Sequence, residues 1–173
     1  MSIKCIHDSC IVQNVDAIVN AANKNLYAGS GICGAIFKSA GMDELTNACS
    51  KIYTPLNDGD AVITPSFNIK SAKYIIHAVG PNFSITPDAF DSLFNAYYNS
   101  LVLLKDNNLH SIAFPLISAG IFGGNLDNPA INSAKKCLEA YKTFTNSFNY
   151  DIDVTLCCYS DKEYNDVMSI WEE

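Results

Sequence analysis

The chain has 173 residues, 49% of them hydrophobic, and a formal charge of −7. That length suits a single domain with a core of its own, and a negative charge without lysine-rich blocks excludes a broad footprint for a nucleic-acid backbone. The apolar runs are too short to span a membrane, and the opening MSIKCIHDSC lacks the apolar stretch of a secretory signal, so a soluble cytoplasmic or nuclear domain over 1–173 is expected. The seven cysteines include no C-x-x-C pair and no histidine at metal-ligand spacing. Zinc and a disulfide framework are therefore not expected, and most of these thiols read as small buried hydrophobes.

Short β-rich runs alternate with helical patterns, the habit of an α/β layered domain. SIKCIH and VDAIVN read as strands joined by a loop from Asp8 to Asn14, and GICGAIFKSA reads as a helix stopped by Gly41. MDELTNACSKI gives a second short helix. GDAVIT and AKYIIHAV follow as strands with only a turn between them, which predicts neighbours of mixed direction. Thr86, Pro87 and Asp88 form a helix start, and Phe90, Leu93, Phe94, Tyr97, Leu101 and Leu104 continue it at helical spacing as the expected longest helix. SIAFPLI is a buried strand running into the glycine-rich SAGIFGGN. Pro129 opens a helix carrying Ile131, Ala134, Leu138 and Tyr141, DIDVTLCCY is the last strand, and Ser160 with Glu163 makes a capping box for a helix bearing Tyr164, Val167, Met168 and Trp171. The sum is a three-layer α/β/α fold with a mixed, mostly parallel sheet of about six strands.

Gly29, Gly31 and Gly34 have the spacing G-x-G-x-x-G of a dinucleotide fingerprint. That fingerprint needs its first glycine directly after a strand and an acid about twenty residues later; here the strand ends near Asn20 and residues 49–54 read CSKIYT, so neither condition holds. No Gly-Lys-Ser/Thr follows to make a Walker A loop. Two glycine loops, AGSGICG and SAGIFGG, nevertheless each follow a strand at a short distance. Backbone amides approach a ligand closely where glycine stands, and amide nests and helix N-termini hold anions without a cation, so an acidic chain can still bind a diphosphate. His77, inside an apolar strand, reads as a core histidine with satisfied nitrogens.

VDAIVNAAN, GSGICGAIF, YIIHAVGPNF and IAFPLISAGIFGG occur in the order and spacing of the macrodomain family, which the chain resembles over essentially its whole length. The AVGPNF and YSDKEY segments look especially like viral members. The resemblance implies an ADP-ribose ligand, no cofactor and no metal. It places Asp8 at the adenine amino group, next to Ser9 where the family usually has an aliphatic residue, and Tyr159 beside adenine. It places Asn23 at a hydroxyl of the distal ribose and makes Asn20 a structural asparagine bracing the loop. Gly29, Ser30, Gly31 and Ile32 match the first diphosphate loop; Ser118, Ala119, Gly120, Ile121 and Phe122 match the second, with Phe122 packed on the distal ribose.

Many macrodomains remove mono-ADP-ribose from protein carboxylates, and some only bind it. The resemblance thus implies a hydrolase of mono-ADP-ribosylated proteins, with Asn23, Gly31 and Phe122 as the catalytic set and water activated by the ligand's own α-phosphate. The alternatives are a non-catalytic reader, and a hydrolase of O-acetyl-ADP-ribose or ADP-ribose 1″-phosphate. Cys33 stands where cellular hydrolases of the family often carry an aspartate, and a thiol is a weak acceptor, so an aspartate-dependent mechanism is excluded. As a nucleophile at a helix start, Cys33 lacks an evident base beside it in sequence. The expected partners are ADP-ribose and mono-ADP-ribosylated proteins, with nucleic acid only as a modified substrate, and the expected state is a monomer.

Overall fold

The computed structural model describes residues 1–171. Six strands, β1 (Ser2–His7), β2 (Val15–Ala22), β3 (Ala61–Pro65), β4 (Ala72–Val79), β5 (Ser111–Pro115) and β6 (Asp153–Cys158), form one sheet in the order β1-β6-β5-β2-β4-β3. Every pairing is parallel except that of β3 with β4. The short turn between those two strands forces the reversal, as the sequence led us to expect; the first two strands, by contrast, are separated in the sheet by β6 and β5.

Five α-helices cover the two faces: α1 (Gly31–Ala40), α2 (Met42–Ser50), α3 (Phe90–Asp106), α4 (Pro129–Ser147) and α5 (Asp161–Met168). On one side α1 and α2 bury Ile36, Phe37, Leu45 and Cys49 against Ile18, Ile75 and Val79. On the other, α3, α4 and α5 bury Leu93, Tyr97, Leu101, Phe144 and Val167 against Val19, Ile76, Phe114 and Leu156. The two clusters use alternate residues of the same central strands, because successive side chains of a strand point to opposite faces. Among the described residues no helix is long and apolar enough to cross a membrane.

Some helix expectations need correction. The longest helix is α4, with 19 residues against 17 in α3. Pro87 and Asp88 fall in a turn before Phe90, which delays α3, whereas nothing between Ala130 and Ser147 is glycine or proline to stop α4. The buried face of α4 is Ala130, Ser133, Ala134, Cys137, Ala140 and Phe144, so Ile131, Leu138 and Tyr141 lie at its margins. Small residues let α4 approach α3 closely, and a reading that follows large hydrophobes misses that face. Gly41, with φ of 114°, does end α1 and also precedes α2. The capping box of Ser160 and Glu163 is present, but α5 stops at Met168 and Trp171 packs beyond its end.

Asn20 on β2 and His77 on β4 are paired across the sheet. Asn20 Nδ2 donates to His77 Nδ1 over 3.1 Å, His77 Nε2 lies 3.0 Å from Thr64 Oγ1, and that hydroxyl donates to the Pro65 carbonyl. The network assigns the Nε2–H tautomer. Asn20 therefore braces two strands and not the loop after β2, and its Oδ1 is buried without a partner among the described residues. His77 is a core histidine with both nitrogens engaged, and burial holds its pKa down at about 4 from an ordinary 6.5.

The unfolded imidazole takes up a proton below about 6.5 while the folded one stays neutral to about 4, so its effect on stability is absent above that window and destabilises progressively on acidification through it. Between about pH 7 and pH 5 this one group should remove about 2 kcal/mol of stability. Urea denaturation at the two pH values should show the loss shrinking by that amount in His77→Gln, and equal losses in both proteins would refute the assignment.

Candidate functional site

The five parallel strands end along one edge of the sheet, where open α/β sheets form their ligand crevices. β2 and β5 are adjacent there, but their register holds only for Ala17 with Ile112 and Ile18 with Ala113, so their carboxyl halves part. The chain leaves β2 toward α1 on one face and leaves β5 toward α4 on the other. Between the diverging segments lies a cleft of two lobes, about 430 and 530 Å³, joined at a waist lined by Gly31, Ile32, Leu116 and Gly120.

One wall is the segment from Asn23 to Ser30 and the start of α1. Gly31 has φ of 58°, in the left-handed region, with open space where a Cβ would stand. Gly34 is required for a different reason: a Cβ there would lie 2.5 Å from the Gly29 carbonyl oxygen. The helix thus opens onto the cleft with the amides of Ile32 and Cys33 unused by any hydrogen bond among the described residues. Such an N-terminus carries the positive end of the helix dipole.

The other wall is Ser118 to Phe122. Ser118 also has a left-handed φ, 57°, and its hydroxyl donates to the Pro81 carbonyl, so the side chain braces the loop from behind. The amides of Ala119, Gly120 and Ile121 have no partner among the described residues. The Phe122 carbonyl accepts from the Phe83 amide over 2.8 Å. Just upstream, the buried Tyr97 hydroxyl of α3 accepts from the Ile117 amide (3.0 Å) and sits 2.6 Å from Ser133 Oγ of α4, which donates to the Ile117 carbonyl. Two helices thereby fix the strand end from which the second loop springs.

Every residue expected from the sequence borders one of the two lobes. Asp8, Ser9 and Tyr159 line the smaller, and Tyr159 is 80% exposed. Asp8 Oδ1 accepts from the Ser9 amide, while Ser9 Oγ accepts from the Ile11 amide and caps the turn Cys10–Val12. Asn23, Gly29, Ser30 and Cys33 line the larger lobe with Ser118, Ala119, Ile121 and Phe122. Asn23 does more than the sequence disclosed: Nδ2 donates to the Tyr27 carbonyl (2.8 Å) and Oδ1 accepts from the Tyr27 amide (2.9 Å), leaving one N–H and one lone pair. The Cys33 thiol donates to the same Tyr27 carbonyl over 3.6 Å.

Sequence reasoning missed the smaller lobe's lining by Ala35, Pro115, Cys157 and Glu163. Glu163 was legible only as a capping residue, and the rest as core. The chain's eleven basic residues are all lysines, none lines either lobe, and no arginine exists to clamp an anion. Among the described residues no three His, Cys, Asp or Glu side chains are grouped as a metal ion would need.

Fold and cleft together define an α/β domain that offers main-chain donors from two loops across a topological switch point. The macro domain family model matches residues 19–131, and the chain belongs to that family. A Salmonella typhimurium protein named O-acetyl-ADP-ribose deacetylase is 37% identical, the match covering 86% of this chain and 82% of that one. The human ADP-ribose glycohydrolase MACROD2 is 38% identical over 83% of this chain and 33% of its own length. Among solved structures, the Oceanobacillus iheyensis macrodomain with ADP superposes with a TM-score of 0.87 at 32% identity, covering 96% of this chain and 88% of that one.

Removing the Tyr97 hydroxyl strands the buried Ile117 amide. Tyr97→Phe should therefore cost about 2 kcal/mol in urea denaturation, with the ring still packed edge-on against Phe114. A cost below about 0.5 kcal/mol would show that the network does not hold the strand end.

Proposed function

We propose that this domain binds ADP-ribose and hydrolyses mono-ADP-ribose from modified aspartate and glutamate side chains of proteins. The observation that carries the reading is the single cleft with a carboxylate at one end, unused amides on both walls of its waist, and an asparagine and a phenylalanine at the other end. Asp8 suits the adenine amino group, the amides of Ile32, Cys33, Ala119, Gly120 and Ile121 suit a diphosphate, and Asn23 with Phe122 suits the distal ribose. The relatives named for ADP-ribose chemistry support the same ligand.

In the reaction, water attacks the anomeric carbon of the distal ribose, the bond to the ester oxygen breaks, and the acceptor leaves as a carboxylate. Among the described residues Cys33 is the one ionisable side chain lining the larger lobe, and its thiol donates a hydrogen bond to the Tyr27 carbonyl. In this reading the ligand's own α-phosphate takes the proton of the attacking water, and the protein's part is orientation and stabilisation of the diphosphate charge. Gly31 contributes the backbone turn that aims the α1 amides, and Asn23 fixes both the ribose and the turn to Tyr27.

A second reading, deacetylation of O-acetyl-ADP-ribose in the same cleft, is favoured by the Salmonella relative. Calorimetric titration with ADP-ribose beside a gel assay for loss of label from an auto-modified ADP-ribosyltransferase tests both. Binding with loss of label is expected; turnover of O-acetyl-ADP-ribose alone would select the second reading, and binding without turnover of either would make the domain a reader. Asn23→Ala should lower turnover about 100-fold through misplacement of the ribose, while ADP-ribose affinity falls about tenfold or less.

A further inference from the structure

A third cavity, of about 290 Å³, shares Phe122 with the larger lobe and is bordered by Lys24, Asp58, Asn82, Ile85 and Thr86. The catalytic reading does not use it. Its walls are tied to one another by hydrogen bonds. The Leu56 amide donates to the Lys24 carbonyl, the Gly59 amide to Val79, and the Phe83 amide to Phe122. The Asn82 carbonyl accepts from both the amide and the hydroxyl of Thr86, and Asn82 Oδ1 accepts from the Ser84 amide. The cavity is therefore preformed.

Its chemistry differs from that of the ADP-ribose cleft. Lys24 is the lysine that borders any of these three spaces, and its ammonium lies 3.5 Å from Asp58 Oδ1. The Lys24 side chain is 55% exposed, so the pair is open to a ligand and is not itself a strong stabilising contact. A donor and an acceptor side by side, with the exposed Ile85 at the rim, suit an extended polypeptide bearing a carboxyl group. In the reading proposed above, ADP-ribose alone fills the two lobes already described. What extends past the distal ribose in a modified protein is the acceptor side chain and its backbone, and Lys24 immediately follows Asn23 in the chain.

We infer that this cavity is the acceptor subsite, taking the polypeptide segment whose aspartate or glutamate carries the ADP-ribosyl group, with Lys24 at the acceptor carboxyl and Asp58 available to a backbone amide. The inference rests on the function proposed above and adds the protein side of the substrate to it. Lys24 acts here by binding and positioning; it contributes no proton to the reaction.

The test compares affinity for free ADP-ribose with affinity for an acidic peptide carrying ADP-ribose through a non-hydrolysable link, in the wild type, Lys24→Ala and Lys24→Glu. Charge reversal should weaken the peptide about tenfold and raise KM for a cleavable peptide correspondingly, truncation should weaken it about threefold, and free ADP-ribose should stay within about twofold. Equal weakening of both ligands, or an unchanged peptide affinity, overturns the inference. An ADP-ribosylated oligonucleotide that depends on Lys24 as strongly as the peptide overturns the assignment to polypeptide. Wild-type protein that fails to bind free ADP-ribose refutes the ADP-ribose reading itself, whereas normal ADP-ribose binding with an unmoved ratio refutes the acceptor subsite alone.

Discussion

Strands β2 and β5 lie side by side and run in the same direction, yet the chain leaves them for opposite faces of the sheet. Two segments that start together and diverge cannot close against each other, so a crevice remains between them. Its walls are the segments that follow the two strands, and at the start of α1 and in the loop after β5 they carry amides that neither sheet nor helix uses. What the sequence must then supply is backbone that keeps those amides aimed inward. Gly31 and Ser118, both in the left-handed region, do this on the two sides, and the Tyr97 and Ser133 hydroxyls hold the strand end behind the second loop.

The same constraint reconciles an acidic protein with an anionic ligand. A lysine or arginine clamp would bring charge but also desolvation cost and freedom of a long side chain. Fixed amides at a helix N-terminus and in a loop bring partial positive charge already oriented, and they leave the net charge of −7 untouched. Lys24 is consistent with this division, since its charge stands at the third cavity and outside both lobes. In the proposed reaction, recognition of the acceptor and recognition of the diphosphate are carried by different kinds of group.

The fold was legible where periodicity and punctuation agree: the strands β3 and β4 about a short turn, Gly41 at the end of α1, and the capping box at Ser160 all stand as read. It was less legible where the deciding contact is remote in sequence. Nothing local says that β6 and β5 intervene between β1 and β2, and the small-residue face of α4 is visible only once its neighbour α3 is known. The site divides in the same way. Glycine loops and Asn23 could be found from short motifs, but the grip of Asn23 on Tyr27 and the partnership of Asn20 with His77 depend on a turn and a strand pairing. Glu163 was read correctly as a cap, and its place on the cleft wall follows from β6 lying beside β1.

The pattern G-x-G-x-x-G shows why spacing alone does not decide a ligand. In this chain Gly29 lies where a Cβ would meet the Cys33 side chain at ordinary contact distance, Gly31 meets a backbone requirement, and Gly34 admits the Gly29 carbonyl against the bare surface of α1. Only the last of these, close packing at a helix start, is shared with the dinucleotide fingerprint. The tight turn directly after the strand is replaced by a longer segment, and that added length carries Asn23, its turn to Tyr27 and the neighbouring Lys24. A loop shortened to the dinucleotide form would keep a helix N-terminus for phosphate but lose Asn23, its turn to Tyr27 and Lys24. The glycines are therefore preconditions for an anion site, and the residues inserted before them determine what chemistry the site can perform.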